Sequence, residues 1–314
     1  VGKTTSAAAT AVALARLHPD ESVVLVSTDP AHSVKDAVDG ADLPPNLRVE
    51  ELDADSEHRA FMEAHAGALH EIASRGTFLD DTDIERFLDL SIPGVDELMS
   101  FLRLARWFED EEADRFVIDT APTGHALRLL TMPEMTSGWM DAIEALLGKH
   151  RYMASVFGSG GDDPVEAFVD ELQEAFENIE GVWTEPSLTR FVPVFNAEAL
   201  SIAETDRLLG SLDEIGIDAP GLICNRLVSP DASGSLAALR DAQAGALAQM
   251  PPRIADRAIA GVPLNADEPR GDNLSNFFAR CLDPRSLLAG EGSTLEASVR
   301  GSVPIAGRIT LVAG

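Results

Sequence analysis

Four short apolar runs, SVVLVSTD, RFVIDTAP, RFVPVFN and GLICNR, constrain this chain more than any other feature. Each is continuous rather than alternating, which is the pattern of a strand buried on both faces. Helical stretches lie between them, so strands alternate with helices and a parallel sheet is the economical solution. The expected fold class is α/β, with a mostly parallel sheet.

The first helix spans about 3–17, supported by its alanine content and ended by His18-Pro19-Asp20, where proline forbids continuation. Two regions interrupt the alternation, about 53–113 and 131–186, where no buried strand stands out. They are expected to form one helical subdomain inserted into a core of about 1–52, 114–130 and 187–283. Within the second, VFGSGGDDP reads as a loop, by its glycines and aspartates. The segment 284–314 is an extension of uncertain structure, in which TLEASVRGSVPIAGRITLVAG is expected to give one or two edge strands.

At 314 residues the chain can bury a substantial core. Its 53 acidic against 24 basic residues give a net charge of −29, a field that repels nucleic acid and anionic membrane surfaces. No nucleic-acid partner is expected. Lysine occurs only at Lys3, Lys35 and Lys149, and such acid-rich, lysine-poor surfaces resemble those of proteins from salt-loving archaea. Cys224 and Cys281 lie far apart with no C-x-x-C pair, so neither a disulfide framework nor a thiolate zinc site is encoded. No apolar stretch reaches the roughly 18 residues a spanning helix needs, and a cytoplasmic location, transiently at the membrane, is expected. The first residue is Val1 rather than methionine, which fits a truncated segment.

VGKTT at the head of the first helix reads as the end of a phosphate-binding loop. In such a loop backbone N–H groups converge on phosphate oxygens at a helix N-terminus, a lysine reaches the β/γ oxygens and a hydroxyl holds magnesium. Gly2 allows close backbone approach, Lys3 supplies charge, Thr4 the metal hydroxyl and Thr5 a further phosphate contact. The fragment alone is equally an ordinary capped helix. STDPAHS and DTAPTGH, following two buried runs, put Asp29 and Asp119 at the carboxyl edge of the sheet, where open α/β folds bind ligands. One carboxylate on the magnesium shell and another group positioning a water are the parts phosphoryl transfer needs.

VGKTT, STDPAHSVKDA and DTAPTGHALRLL, in that order, resemble the ATPase family that contains the arsenite-pump subunit ArsA and the Get-pathway ATPase that delivers tail-anchored membrane proteins. FNAEALSIAETDRLL, ICNRL and GVPLNADEPRG extend the resemblance over nearly the whole chain. It implies a deviant-loop P-loop ATPase using ATP and Mg2+, in which Asp29 orients the hydrolytic water and Asp119 contacts the magnesium shell. Gly124 and His125 then couple nucleotide state to the helical subdomain, and Asn225 recognises adenine with help from the loop near Pro263. His32 reads as a turn residue. Family members carry a first strand and KGG before VGKT, whose lysine reaches the nucleotide of the opposite subunit, so the resemblance also implies a homodimer and a requirement for residues upstream of Val1.

Three functions fit this resemblance. A targeting factor needs an apolar groove for a hydrophobic transmembrane-helix client, and Met132, Met135, Trp139, Met140, Leu146, Leu147, Tyr152, Met153 and Phe157 could line one, though such spacing also describes ordinary core. A pump subunit, the alternative, would pair with a membrane partner and use cysteines for arsenite, and both cysteines read most simply as core residues. A nucleotide-binding scaffold without turnover is the third.

Overall fold

The computed structural model of the protein describes residues 2–28, 33–40, 42–76, 102–108, 112–120, 164–229, 231–264, 269–280, 284 and 308–313. The chain divides into two compact units, one of 1–52, 111–127 and 182–314, the other of 53–110 and 128–181.

The first unit holds seven described strands: β1 (Val23–Ser27), β2 (Leu47–Glu51), β3 (Arg115–Asp119), β4 (Thr189–Asn196), β5 (Gly221–Leu227), β6 (Ala258–Pro263) and β7 (Ile309–Ala313). They form one sheet in the order β2-β1-β3-β7-β4-β5-β6. Every pairing is parallel, as the continuous apolar runs require. All five residues of β1 are buried, as are the last four of β3. The four runs read from the sequence are thus β1, β3, β4 and β5, while β2 and β6 were not among them. The expectation of edge strands near the C-terminus is corrected: β7 lies in the middle, paired to β3 on one side and β4 on the other. Its Ile309, Leu311 and Val312 are almost wholly buried, as a central strand demands.

Helices α1 (Lys3–Leu17) and α2 (Ser33–Val38) follow from the N-terminus. The small side chains of α1 explain how it sits on the sheet: Ala7, Ala8 and Ala11 are completely buried and share one apolar cluster with Val23, Leu25, Val117, Val192, Ile223 and Val312. Alanine lets the helix backbone approach β-branched side chains closely while losing no side-chain entropy. The helix stops at His18, and its end is tied down by Asn46, whose Nδ2 lies 3.0 Å from the Ala15 carbonyl, 3.0 Å from that of His18 and 2.7 Å from that of Glu21. Asn46 precedes β2, and its own carbonyl accepts the Val23 N–H at the start of β1. The C-terminus of α1 therefore lies at the amino edge of the sheet, and its N-terminus points to the carboxyl edge.

A polar clamp joins the starts of β1 and β3. The Asp114 carboxylate accepts from the Ser22 N–H at 2.8 Å and the Ser22 hydroxyl at 2.7 Å, and Arg115 pairs with Glu21. The Ser22 hydrogen bonds hold the Asp114 carboxyl below its ordinary range, and the hydrogen bond from Arg115 does the same for Glu21.

The second unit contains α3 (Ala54–Gly76), a helical stretch at 102–108 and most of α4 (Pro164–Thr184). Ala68, Val165, Phe168 and Val169 form its described apolar cluster. The His65 ring packs 4.6 Å from that of Phe61 and 4.9 Å from that of Phe168. Arg103 lies over the Trp107 ring at 5.0 Å. The remaining described helices, α5 (Ala199–Glu214), α6 (Ser235–Leu247), the single turn α7 (Pro252–Ala255) and a 3-10 helix (Gly271–Arg280), belong to the first unit.

Candidate functional site

The site grows from the first turn of α1. Gly2 is the N-cap, in the left-handed region with φ 91°, and its carbonyl accepts the Ser6 N–H at 3.0 Å. Gly2 has no side chain with which to cap this end, and no acidic residue occupies the first turn. The N–H groups of this turn and the helix dipole are therefore not offset by a carboxylate of the turn itself. Lys3, Thr4 and Thr5 form that turn and are half-buried.

Asn225 meets this turn from β5. A Cβ placed on Gly2 would fall 1.9 Å from Asn225 Nδ2, so the two residues are packed as closely as a bare glycine permits. Asn225 is 8% exposed and stands in register with Asn196 of β4. Asn196 Oδ1 is buried with no hydrogen-bond partner among the described residues, a polar atom facing the same end of the sheet.

Immediately after Asn225 the strand is irregular. The register with β6 shifts between Cys224 and Leu227, and Arg226 adopts φ 60°, a left-handed conformation that costs a non-glycine residue about 1–2 kcal/mol. Gln243 of α6, 5% exposed, holds the bulge from both sides: its Nε2 donates to the Arg226 carbonyl at 2.9 Å and its Oε1 accepts the Val228 N–H at 2.8 Å. Sequence reading did not find Gln243. A single amide in an alanine-rich, largely exposed helix gives no signal until the bulge it satisfies is known. Pro263 ends β6 opposite Leu227, where the Leu264 N–H donates to the Leu227 carbonyl at 2.7 Å. Pro263 therefore lies one strand beyond Asn225, at the same end of the sheet.

Asp119 is the last residue of β3 and is fully buried. It pairs in register with Ser27 of β1 and Val312 of β7. Its carbonyl accepts the Thr28 N–H at 3.0 Å, so the segment leaving β1 toward residue 29 is fastened beside it. Thr120 is bound to β7, its N–H 3.2 Å and its hydroxyl 3.3 Å from the Val312 carbonyl. Asp29, His32, Gly124 and His125 lie outside the described residues, as do Cys281 and the methionine-rich stretch from Met132 to Phe157. Cys224 is buried in β5 beneath this edge, and burial pushes its thiol well above the ordinary range. The thiolate that ligates soft ions is thereby disfavoured.

The described geometry thus gathers Gly2, Lys3, Thr4, Thr5, Asn225, Pro263 and Asp119 at the carboxyl edge of one sheet. A parallel α/β sheet with a glycine–lysine helix N-terminus at that edge defines the core of a P-loop nucleotide-binding protein. The sequence model of the anion-transporting ATPase family matches residues 1–283. The ATPase GET3 of Meyerozyma guilliermondii is 31% identical over 315 aligned positions, covering 90% of this chain and 87% of the relative. The ATPase ASNA1 homolog of Dictyostelium discoideum is 32% identical, covering 90% and 86%. The GET3 ATPase of Candida tropicalis is 32% identical, covering 91% and 88%. The chain belongs to the anion-transporting ATPase family.

Proposed function

We propose that this protein hydrolyses ATP with Mg2+ at the carboxyl edge of its sheet and, as a homodimer opened and closed by nucleotide, delivers hydrophobic transmembrane-helix clients to a membrane. The observation that carries the nucleotide part is the packing of Gly2 against Asn225, which brings the candidate phosphate residues and the candidate base residue side by side from distant parts of the chain. ATP suits the residues present: a glycine at φ 91° without Cβ, a lysine and two threonines in a first turn with no acidic side chain, and a buried carboxylate at the end of β3. Lys3 binds the β/γ oxygens, Gly2 and the α1 N–H groups cradle the phosphates, and Asn225 with the Pro263 loop takes the adenine. Thr4 and Asp119 would hold the magnesium, which when bound would neutralise charge on the phosphate oxygens. Asp29 orients the attacking water.

Client delivery rests on the similarity to the GET3 ATPases over about nine-tenths of the chain. A second reading, transport of an oxyanion with a membrane pump subunit, draws on the family description. The raised, buried Cys224 thiol weighs against metalloid capture at that residue. Either way the protein acts in the cytoplasm with passing contact to the membrane. The test is phosphate release, with an Asp29→Asn variant as control, measured alone, with a hydrophobic tail-anchor peptide and with arsenite. Stimulation by the peptide supports delivery, and stimulation by arsenite alone replaces it with the pump reading. Turnover that is identical in the Asp29→Asn variant removes the catalytic role given to that residue.

A further inference from the structure

Arg226 combines a backbone that is costly to hold with a side chain that the described fold does not use. At φ 60° it is the one non-glycine residue in the left-handed region among the described residues. There the Cβ of an L-residue crowds the following carbonyl, whereas glycine sits without strain. Its side chain is exposed, and among the described residues the guanidinium makes no hydrogen bond or ion pair. Arg115, Arg190, Arg253 and Arg257 of this acidic chain are, by contrast, each held by a carboxylate. Neither backbone ease nor packing accounts for an arginine here, and strain of this kind gathers where a ligand needs a side chain.

The surroundings hold this conformation in place. The buried Gln243 amide donates to the Arg226 carbonyl and accepts the Val228 N–H, and the register with β6 shifts at the same point. Such a bulge bends a strand and re-aims its side chains. Arg226 is preceded by Asn225, which packs against Gly2. It is followed by Leu227, which pairs with Pro263 and whose carbonyl accepts the Leu264 N–H. Arg226 is therefore bracketed by the two segments assigned to the base, Asn225 and the Pro263 loop. A guanidinium is planar, and beside an aromatic base its characteristic contact is stacking on the ring face.

We propose that Arg226 is a further binding residue of the nucleotide site, its guanidinium stacked over the face of the bound purine. This rests on the nucleotide reading above and adds to it which side chain covers the base. The Gln243 clamp fixes the Arg226 backbone before the ligand arrives, which lowers the ordering cost of the contact. Stacking uses the ring face that adenine and guanine share, so Arg226 raises affinity for both and leaves the choice between them to hydrogen bonds at the ring edge.

The experiment titrates the parent, Arg226→Gly and Arg226→Gln by calorimetry with non-hydrolysable ATP and GTP analogues and with inorganic tripolyphosphate, each with Mg2+. Circular dichroism melting reports folding. Arg226→Gln keeps the strained backbone and a long side chain, so it reads the guanidinium even if Arg226→Gly does not fold. Both variants are expected to bind both analogues about five- to tenfold more weakly, with tripolyphosphate unchanged. Unchanged affinity for the ATP analogue in either folded variant overturns the assignment. An equal loss for tripolyphosphate places Arg226 on the phosphates and overturns stacking, as does a loss for one purine only. A parent that binds the ATP analogue no better than tripolyphosphate has no base site, which overturns the base half of the nucleotide reading and this proposal with it. A parent that prefers the analogue while the variants match it removes Arg226 alone.

Discussion

Gly2 and Asn225, more than two hundred positions apart, are packed so closely that a methyl group on the one would lie 1.9 Å from the amide nitrogen of the other. The contact ties the first turn of α1 to the end of β5, and so joins the two candidate halves of a nucleotide pocket. Its energetic content is testable because two separate penalties meet at Gly2.

Gly2→Ala is expected to destabilise the fold by about 2–3 kcal/mol, of which about 1–2 comes from the left-handed backbone and the rest from displacing Asn225. Asn225→Ser in the Gly2→Ala background shortens the opposing side chain and is expected to return the second part only. Urea denaturation of the two single variants and the double variant, read as a double-mutant cycle, measures the coupling. Strict additivity shows that the two side chains do not meet.

Gln243→Leu leaves the Val228 N–H and the Arg226 carbonyl without their partner, and is expected to cost about 1–3 kcal/mol in chemical denaturation. If the bulge also presents Asn225 to the base, affinity for ATP falls more than affinity for free pyrophosphate, because only the former engages the base. Equal losses assign Gln243 to stability alone.

Arg226→Gly is expected to stabilise the protein slightly, by about 0.5 kcal/mol. Release of the left-handed strain at φ 60° outweighs the added entropy of an unfolded glycine. A melting temperature lower than that of the parent contradicts this.

Asp114→Asn probes the clamp between β1 and β3. The folded-state pKa of Asp114 is depressed by the Ser22 hydrogen bonds, so its contribution is present above the unfolded carboxylate pKa and is lost as pH falls through the depressed folded value. The parent is therefore expected to melt higher than the variant at pH 7, with the gap closing below about pH 4. A gap that is the same at pH 7 and pH 3 shows that the ionised carboxylate is not what the clamp uses.

The parts of this fold that sequence exposed were those whose physics is local. Alanine spacing and Pro19 delimit α1, and the unbroken apolar runs of Val23–Ser27 and Arg115–Asp119 declare strands covered on both sides. Gly2 and Lys3 could be placed at the head of a helix and Asp119 at the end of a strand because a helix start and a buried strand's end each have a compact signature. β2 was missed because Arg48, Glu50 and Glu51 interrupt its apolar residues, as befits a strand at the sheet margin. β6 was missed because Ala258-Ile259-Ala260-Gly261 is poor in the β-branched residues that mark strands. β7 was recognised as strand-like but misplaced, because its residues report burial and say nothing about which strands flank it. Gln243 was invisible for a related reason: its role depends on a backbone irregularity in another element.

The central position of β7 also bears on biosynthesis. Until residues 309–313 leave the ribosome, β2-β1-β3 and β4-β5-β6 are two half-sheets, each with an open inner edge on β3 or β4. Such edges are templates for pairing with other chains, so among the described strands β3 and β4 stay open to aggregation until β7 arrives to close the seam.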